Sequence, residues 1–217
     1  MAIILSGNGD HEKALQNLAL ARVVFLSKRK DVEVAYIDAS TGDTYLALGR
    51  YDEALRAYRK ALPIFEWLHG EDHTQIGILF VSLAELYMKM GKLRESKSYC
   101  ENALRIFGRR QAGHSLDEIA TGLTELAGLF ESMGEYQFAI RLFQRALKIL
   151  EKLPGQQSEI AGIEAQMGVL FHMIGKYEEA YMAFKSAVCK FRCGVQKKRM
   201  PVLFKSFKVG IFNIIMG

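Results

Sequence analysis

Two histidines four residues apart, His69 and His73, have a spacing at which imidazoles can share a metal ion if both lie on a helix. Gly70 stands between them, and no cysteine or third histidine lies nearby in the sequence. Zinc sites take four protein ligands when structural and three when catalytic. We therefore predict no metal site at this pair.

Acidic residues also occur in adjacent pairs, but the pairs do not predict catalysis. Asp52 with Glu53, and Glu178 with Glu179, each fall at the start of a predicted helix, where the helix dipole favours negative charge. We can place no pair of carboxylates in an apolar pocket, and no glycine-rich phosphate loop follows a strand. The sequence predicts no catalytic residue, no cofactor and no enzymatic activity.

The elements that would position any functional group are copies of one unit. Its seven marked positions recur at offsets of 42, 43 and 41 residues, and a weaker copy stands 40 residues upstream. In the best copy they are Gly42, Tyr45, Gly49, Tyr51, Ala54, Tyr58 and Ala61. In the later copies they are Ala84, Tyr87, Gly91, Leu93, Ser96, Cys100 and Ala103; then Ala127, Phe130, Gly134, Tyr136, Ala139, Phe143 and Ala146; then Gly168, Phe171, Gly175, Tyr177, Ala180, Phe184 and Ala187.

Each copy predicts two antiparallel helices, A and B. A small residue on helix A opposite a small residue twelve positions later lets the helix axes approach to roughly 8–10 Å. The second glycine of each copy follows helix A, where a left-handed residue is favoured. This is the pattern of the tetratricopeptide repeat, whose usual period is about 34 residues. The additional residues lengthen the helices or the loop from B to A.

The pattern also predicts helix limits. The first copy has only the end of a helix A at Met1–Ser6. Ser115 is the predicted N-cap of the fourth helix A, and Pro63 predicts a kink or an early break in the second helix B. The predicted helices are 10–27; 31–48 and 50–68; 74–90 and 92–108; 115–133 and 135–153; 158–174 and 176–192.

We predict a repeat array over 1–192, with copies at 1–30, 31–73, 74–114, 115–157 and 158–192. Beyond Arg192 the pattern weakens, and residues 193–217 are either a divergent tail, of the kind that a truncated or alternatively spliced product has, or a lone helix A of a sixth copy.

The loop LHGEDHTQIG, Leu68 to Gly77, together with the 42-residue period, resembles kinesin light chains, in which Gly-x-x-His-Pro marks the loop between copies. Thr74 replaces that proline. The segments Glu95–Phe107 and Pro154–Phe171 are more specifically similar to plant kinesin light chain-related proteins. The resemblance implies an all-α, right-handed superhelical solenoid, with His73 packed under the following helix. It also implies association with cortical microtubules, which the family holds in place during cellulose deposition.

Charge divides between the two helix types. Helix A segments hold one base, Lys89, and 13 acids, whereas helix B segments with their adjoining turns hold 23 bases and 11 acids. In a tetratricopeptide superhelix the A helices line the concave groove and the B helices form the convex outside. A solvated amphipathic face would explain this division. It equally predicts a basic outer surface that attracts an acidic polymer such as the microtubule: Arg94, Lys97, Arg105, Arg109, Arg110, Arg141, Arg145, Lys148 and Lys152.

The predicted groove is acidic or neutral, with Lys89 as its one base. Grooves that grip a C-terminal carboxylate need several cations and donors, so a chaperone-tail clamp is not predicted, and the acidic cargo peptides of animal kinesin light chains fit poorly. A peptide-binding motor or vesicle adaptor stays an alternative function. The predicted groove residues are Asp43, Glu85, Lys89, Glu125, Glu131, Gln166 and His172.

Composition adds bounds on the cellular setting. Three cysteines, Cys100, Cys189 and Cys193, are an odd number without a Cys-x-x-Cys pair, and Cys100 occupies a predicted core position. The sequence shows no secretory signal and no run long enough to span a membrane. We predict a cytoplasmic, cytoskeleton-associated protein that binds other proteins rather than nucleic acid. Its apolar tail, with Phe204 and Phe207 among its residues, predicts self-association.

Overall fold

Helices account for the regular structure of the described chain. The computed structural model describes residues 10–109 and 115–195, and these contain nine α-helices and no strand. In chain order the helices are α1 His11–Ser27, α2 Asp31–Ala47, α3 Tyr51–His69, α4 Thr74–Lys89, α5 Leu93–Gly108, α6 Leu116–Ser132, α7 Tyr136–Leu150, α8 Gln157–Met173 and α9 Tyr177–Val195.

The chain divides into two compact units, Met1–Leu150 and Glu151–Gly217. In the first unit α2 packs with α3, α4 with α5 and α6 with α7, while α1 packs against α2. In the second unit α8 packs with α9. These are the predicted A and B helices, so the all-α fold class is confirmed. The segments Met1–Ser6 and 196–217, on which the first helix A and the tail were predicted, lie outside the described residues.

The predicted helix limits agree with the structure to within a few residues. The largest difference is at the fourth helix B, where α7 ends at Leu150 and residues 151–156 form turns instead of a continued helix to Leu153. A break at Pro63 is wrong, because α3 continues through it to His69. The residues on either side, Ala61 and Phe65, are both buried, and this packing outweighs the backbone hydrogen bond that proline cannot donate.

The turns follow the predicted chemistry. Gly49, Gly91, Gly134 and Gly175 all have positive φ, between 73° and 78°, which is the left-handed conformation expected after helix A. At the start of α6 the Ser115 hydroxyl accepts a hydrogen bond from the Glu118 N–H at 3.4 Å, which confirms Ser115 as the N-cap.

Close approach within a pair has two forms. In α4 and α5 the Ser96 hydroxyl donates to the Ala84 carbonyl at 2.8 Å, and both residues are fully buried. At Gly42 an aromatic ring takes the space instead, because a Cβ built there would lie 2.6 Å from Cδ1 of Tyr58. The ring therefore requires glycine on α2 at this position.

Within the first unit the A helices form one layer. Helix α2 contacts α4, and α4 contacts α6, but no comparable contact joins α3 to α5 or α5 to α7 among its described residues. An array whose A helices are close together and whose B helices are farther apart curves with its A helices on the inner side. The first unit thus has an inner face formed by α2, α4 and α6 and an outer face formed by α3, α5 and α7.

Candidate functional site

Three carboxylates from consecutive A helices come together on the inner face. Asp43 lies on α2, Glu85 on α4 and Glu125 on α6, one from each of three successive copies. The negative charges of Asp43 and Glu85 both act on Glu125, and that of Glu85 acts on Asp43. We call these three residues the acidic cluster; its members are 82 residues apart in the sequence at the extremes.

The acidic cluster is hard to ionise fully. Burial, with the Asp43 and Glu85 charges added, raises the pKa of Glu125 to about 7 from its ordinary value of 4.5. Burial is also the main cause that raises the pKa of Asp43 and of Glu131, farther along α6. The Glu125 side chain still reaches solvent. It is a carboxylate enclosed by a concave protein surface but open to a ligand.

Asp43 is fixed in place by its neighbours. The Tyr58 hydroxyl donates to Asp43 Oδ1 at 2.7 Å, and a hydrogen bond from Ser82 also stabilises the ionised carboxylate. Tyr58 is fully buried between its own helix pair, so its hydroxyl is the link between the core and the groove. Sequence analysis assigned Tyr58 to the core and missed this second role.

Lys89 does not present a free cation to the groove. Its ammonium lies 3.4 Å from Glu85 Oε1, one helical turn away, and both side chains are 43% exposed. The inner face of the first unit is therefore acidic even at its one predicted base. Such a surface suits a ligand with cationic side chains better than one with a terminal carboxylate.

The last two predicted groove residues belong to the second unit. Gln166 and His172 both lie on α8 and are exposed. The His172 ring makes an edge contact with Tyr177, with 5.5 Å between ring centroids. They form a separate part of the predicted groove on this unit.

Several residues of the predicted basic outer surface are neutralised in the structure. Arg105 pairs with Asp72 at 2.8 Å, and Arg109 pairs with the same carboxylate. Lys97 pairs with Glu135 of the next copy at 2.5 Å. The Arg145 guanidinium donates to the Phe107 carbonyl at 3.0 Å. These side chains join one copy to the next, so their charge is only partly available to a partner.

Three other predicted cations, Arg94 on α5 and Arg141 and Lys148 on α7, are exposed and make no ion pair among the described residues. Arg141 lies over the Phe138 ring at 5.2 Å, which leaves its charge in place. Lys152 is exposed in the turn at the start of the second unit. Arg110 lies outside the described residues.

His69 and His73 do lie together, with stacked rings whose centroids are 4.2 Å apart. His73 caps α4, because its Nδ1 accepts a hydrogen bond from the Gln75 N–H at 3.3 Å. The role that the sequence did not reveal is that of Glu118, which accepts hydrogen bonds from Thr74 and, at 2.5 Å, from Gln75. This junction joins the start of α4 to the start of α6.

Other kinds of site find no support in the part of the chain that the structure describes. Residues 10–109 and 115–195 contain no group of three or more His, Cys, Asp or Glu side chains placed to hold a metal ion. Over the same ranges, no helix combines the length and apolar character needed to cross a membrane. Cys100 is fully buried, as predicted, and burial raises the pKa of its thiol to about 11.

Comparison with known families matches the repeat pattern. The tetratricopeptide repeat model matches residues 1–66, 33–107, 75–152 and 118–188. Together these overlapping matches extend over most of the chain, in agreement with the helix pairs described above.

Among curated proteins, two Arabidopsis thaliana relatives are similar over 91% of this chain. Protein kinesin light chain-related 1 is 50% identical over 197 residues, and kinesin light chain-related 3 is 49% identical over 198 residues. The chain spans only 32% and 30% of their lengths, respectively.

Solved structures share the fold at low identity. BtubC (BKLC) from P. vanneervenii has a TM-score of 0.69 at 22% identity, over 93% of this chain and 80% of that one. A Podosopora anserina protein with nearly identical TPR-like repeats has a TM-score of 0.62 at 16% identity, over 92% and 94% of the two chains. At these identities the likeness concerns the fold alone.

Proposed function

Because the chain belongs to the tetratricopeptide-repeat family and is similar to plant kinesin light chain-related proteins, we propose that it is a non-enzymatic interaction scaffold that associates with microtubules. The proposed contact is the basic outer face, and the proposed setting is the cytoskeleton in the cytoplasm. Holding cortical microtubules in place during cellulose deposition, which the resemblance implies, is the finer form of the proposal.

The observation that carries the proposal is the set of unpaired cations on the B helices. Arg94, Arg141 and Lys148 are exposed without an ion pair among the described residues, and the three carboxylates that face one another lie on A helices. Opposite charges are thus separated onto the two faces of the first unit. A basic face attracts an acidic polymer by its summed field, and the microtubule surface is acidic.

Microtubule co-sedimentation tests the proposal. The triple variant Arg94→Glu, Arg141→Glu, Lys148→Glu should lose most of its binding, and wild-type binding should fall as salt rises, because exposed charges are screened beyond about 8 Å at physiological ionic strength. Arg105 and Arg109 are left unchanged because they already pair with Asp72. Full binding of the triple variant at low salt would overturn the proposal.

A second candidate function is favoured by the acidic cluster: an adaptor that holds a cationic peptide on the inner face. Ligand cations would relieve the repulsion that raises the pKa of Glu125. Glu125→Ala with Glu85→Ala should then abolish binding of a lysine-rich peptide, measured by calorimetry, while the outer-face triple variant binds as before. The opposite pattern, with peptide binding lost only in the outer-face variant, would exclude the groove.

A further inference from the structure

The most exposed large apolar side chain in the described chain is Trp67, near the end of α3. It is 80% exposed, and Pro63, one turn earlier, is also exposed. Isolated surface apolar residues are common. A fully projecting tryptophan is different, because tryptophan is strongly enriched among the residues that dominate binding energy at protein interfaces.

Trp67 lies on one stripe with two cations. Arg56, Lys60, Pro63 and Trp67 follow one another at helical spacings of four, three and four residues, which places them on one side of α3. All four are exposed. Neither Arg56 nor Lys60 forms an ion pair among the described residues. We call these four residues the α3 stripe.

The repeat register sets the α3 stripe apart from the other B helices. At the positions of Arg56, Lys60 and Pro63, helix α7 carries Arg141, Arg145 and Lys148, and at the position of Trp67 helix α5 carries Arg109. Of these, Arg145 and Arg109 are already engaged within the protein. On α3 the two cations are unpaired, and the next positions are apolar.

We infer that the α3 stripe is a docking surface for an acidic polypeptide segment that carries an apolar side chain. The carboxylates pair with Arg56 and Lys60, and the apolar side chain packs on Trp67 and Pro63. This inference rests on the proposed role of the B helices in binding acidic partners, and it adds a defined anchor to a field that is otherwise unspecific.

The dimensions of the stripe define the ligand. At 1.5 Å per residue along a helix, Lys60 lies about 10 Å and Arg56 about 16 Å from Trp67. An extended segment rises about 3.3 Å per residue. Its carboxylates should therefore stand roughly three to five residues from the apolar side chain.

Single-stranded nucleic acid also binds where bases stack on aromatic side chains within a basic groove. The α3 stripe has one aromatic ring on a convex helix and no groove along which a strand could run. A polypeptide segment is therefore the better match, and an oligonucleotide serves as a competing ligand in the test.

Trp67 is the only tryptophan of the chain, so its emission reports on this site directly. The probe is a synthetic peptide with about four glutamates, two serines and a leucine in that order, with a fluorescent label for anisotropy. Binding should shift the tryptophan emission to shorter wavelength. Replacing the leucine with serine, or the glutamates with glutamines, should each weaken binding by about tenfold.

Variants complete the test, and all changed side chains are exposed, so circular dichroism should be unaltered. Arg56→Glu with Lys60→Glu should weaken peptide binding by about tenfold, as should Trp67→Ser. The matched control is Arg141→Glu with Lys148→Glu on α7, which should bind the peptide normally yet lose microtubule co-sedimentation. Normal peptide binding with lost co-sedimentation in this control separates the two proposals.

Three results would overturn the inference. The first is no binding of the peptide, and the second is binding that leaves the emission and the Trp67→Ser variant unaffected, which would place the contact elsewhere. The third is an emission shift with oligothymidylate but not with the peptide, which would assign the α3 stripe to nucleic acid.

Discussion

The ring of Phe107, at the end of α5, occupies the space beside Gly122 of α6, where a Cβ would lie 2.6 Å from Cε2 of the ring. The same ring lies beside Gly77 of α4, again with 2.6 Å between a built Cβ and Cε1. One aromatic side chain thus packs against glycines of two successive A helices. Phe107 is 3% exposed, so it joins the third and fourth copies through their core.

Gly122→Ala should therefore destabilise the protein. The added methyl group forces a buried ring to move, which costs about 1–3 kcal/mol. Gly128, on the same helix, is the matched control because nothing lies within 4 Å of its Cβ position. Gly128→Ala should stabilise by about 0.5–1 kcal/mol through helix propensity. Urea denaturation of both variants tests the pair, and equal effects of the same sign would refute the packing.

A charge at a small core position should be more costly. Ala146 of α7 is fully buried, and Ala146→Glu places an unpaired carboxylate in the core at a cost of roughly 3 kcal/mol or more. Gln144→Glu adds the same charge at an exposed position of α7 and should have little effect. A melting temperature unchanged by Ala146→Glu would contradict the register of the repeats.

The helices and their layers could be predicted because their signals are local. Small, aromatic and glycine positions recur within each copy, and Gly49 or Ser115 acts on its own turn. The charge division between A and B helices likewise follows from the register. Packing between copies could not be predicted, since Phe107 meets Gly77 from 30 residues away, and nothing local marks that contact.

The same limit applies to the candidate surfaces. Sequence counted Arg105 and Arg109 as cations for a partner, but the loop before α4 brings Asp72 to both of them. It also overlooked Trp67, because an aromatic residue in a helical repeat reads as core unless its exposure is known. Which charges are engaged is decided by contacts between copies, and these depend on the folded geometry.

Stability should respond to pH through Glu125. Its pKa is raised from 4.5 to about 7 in the folded protein, so the folded state binds more protons than the unfolded state between these values. Stability is therefore greatest below about pH 4.5 as far as this group is concerned, and falls as pH rises to about 7. The effect is moderated because water reaches the side chain and screens its charge.

Glu125→Gln should remove this dependence. At about pH 8 the variant should be more stable than wild type by about 1 kcal/mol, and below about pH 5 the difference should vanish. Glu101→Gln, at an exposed position of α5, controls for the loss of one negative charge. Urea denaturation at both pH values provides the measurement. A stabilisation of equal size at both would exclude repulsion within the acidic cluster as its cause.

Helix α1 carries an apolar face that should promote self-association. Leu20, Val23 and Val24 are 67%, 66% and 48% exposed and lie within one helical turn. In the repeat register Leu20 and Val23 correspond to Arg145 and Lys148 of α7, so an apolar patch replaces a basic one. Exposed contiguous apolar surface favours association.

Leu20→Lys with Val23→Lys should shift the isolated chain toward monomer in sedimentation velocity, without loss of helix in circular dichroism. Removal of Met200–Gly217, the apolar tail outside the described residues, should reduce association independently. The matched control is Lys13→Ala on α1, whose ammonium is exposed and paired with Asp10, and which should leave association unchanged. A wild-type chain that remains monomeric at high concentration would show that neither surface acts in this way.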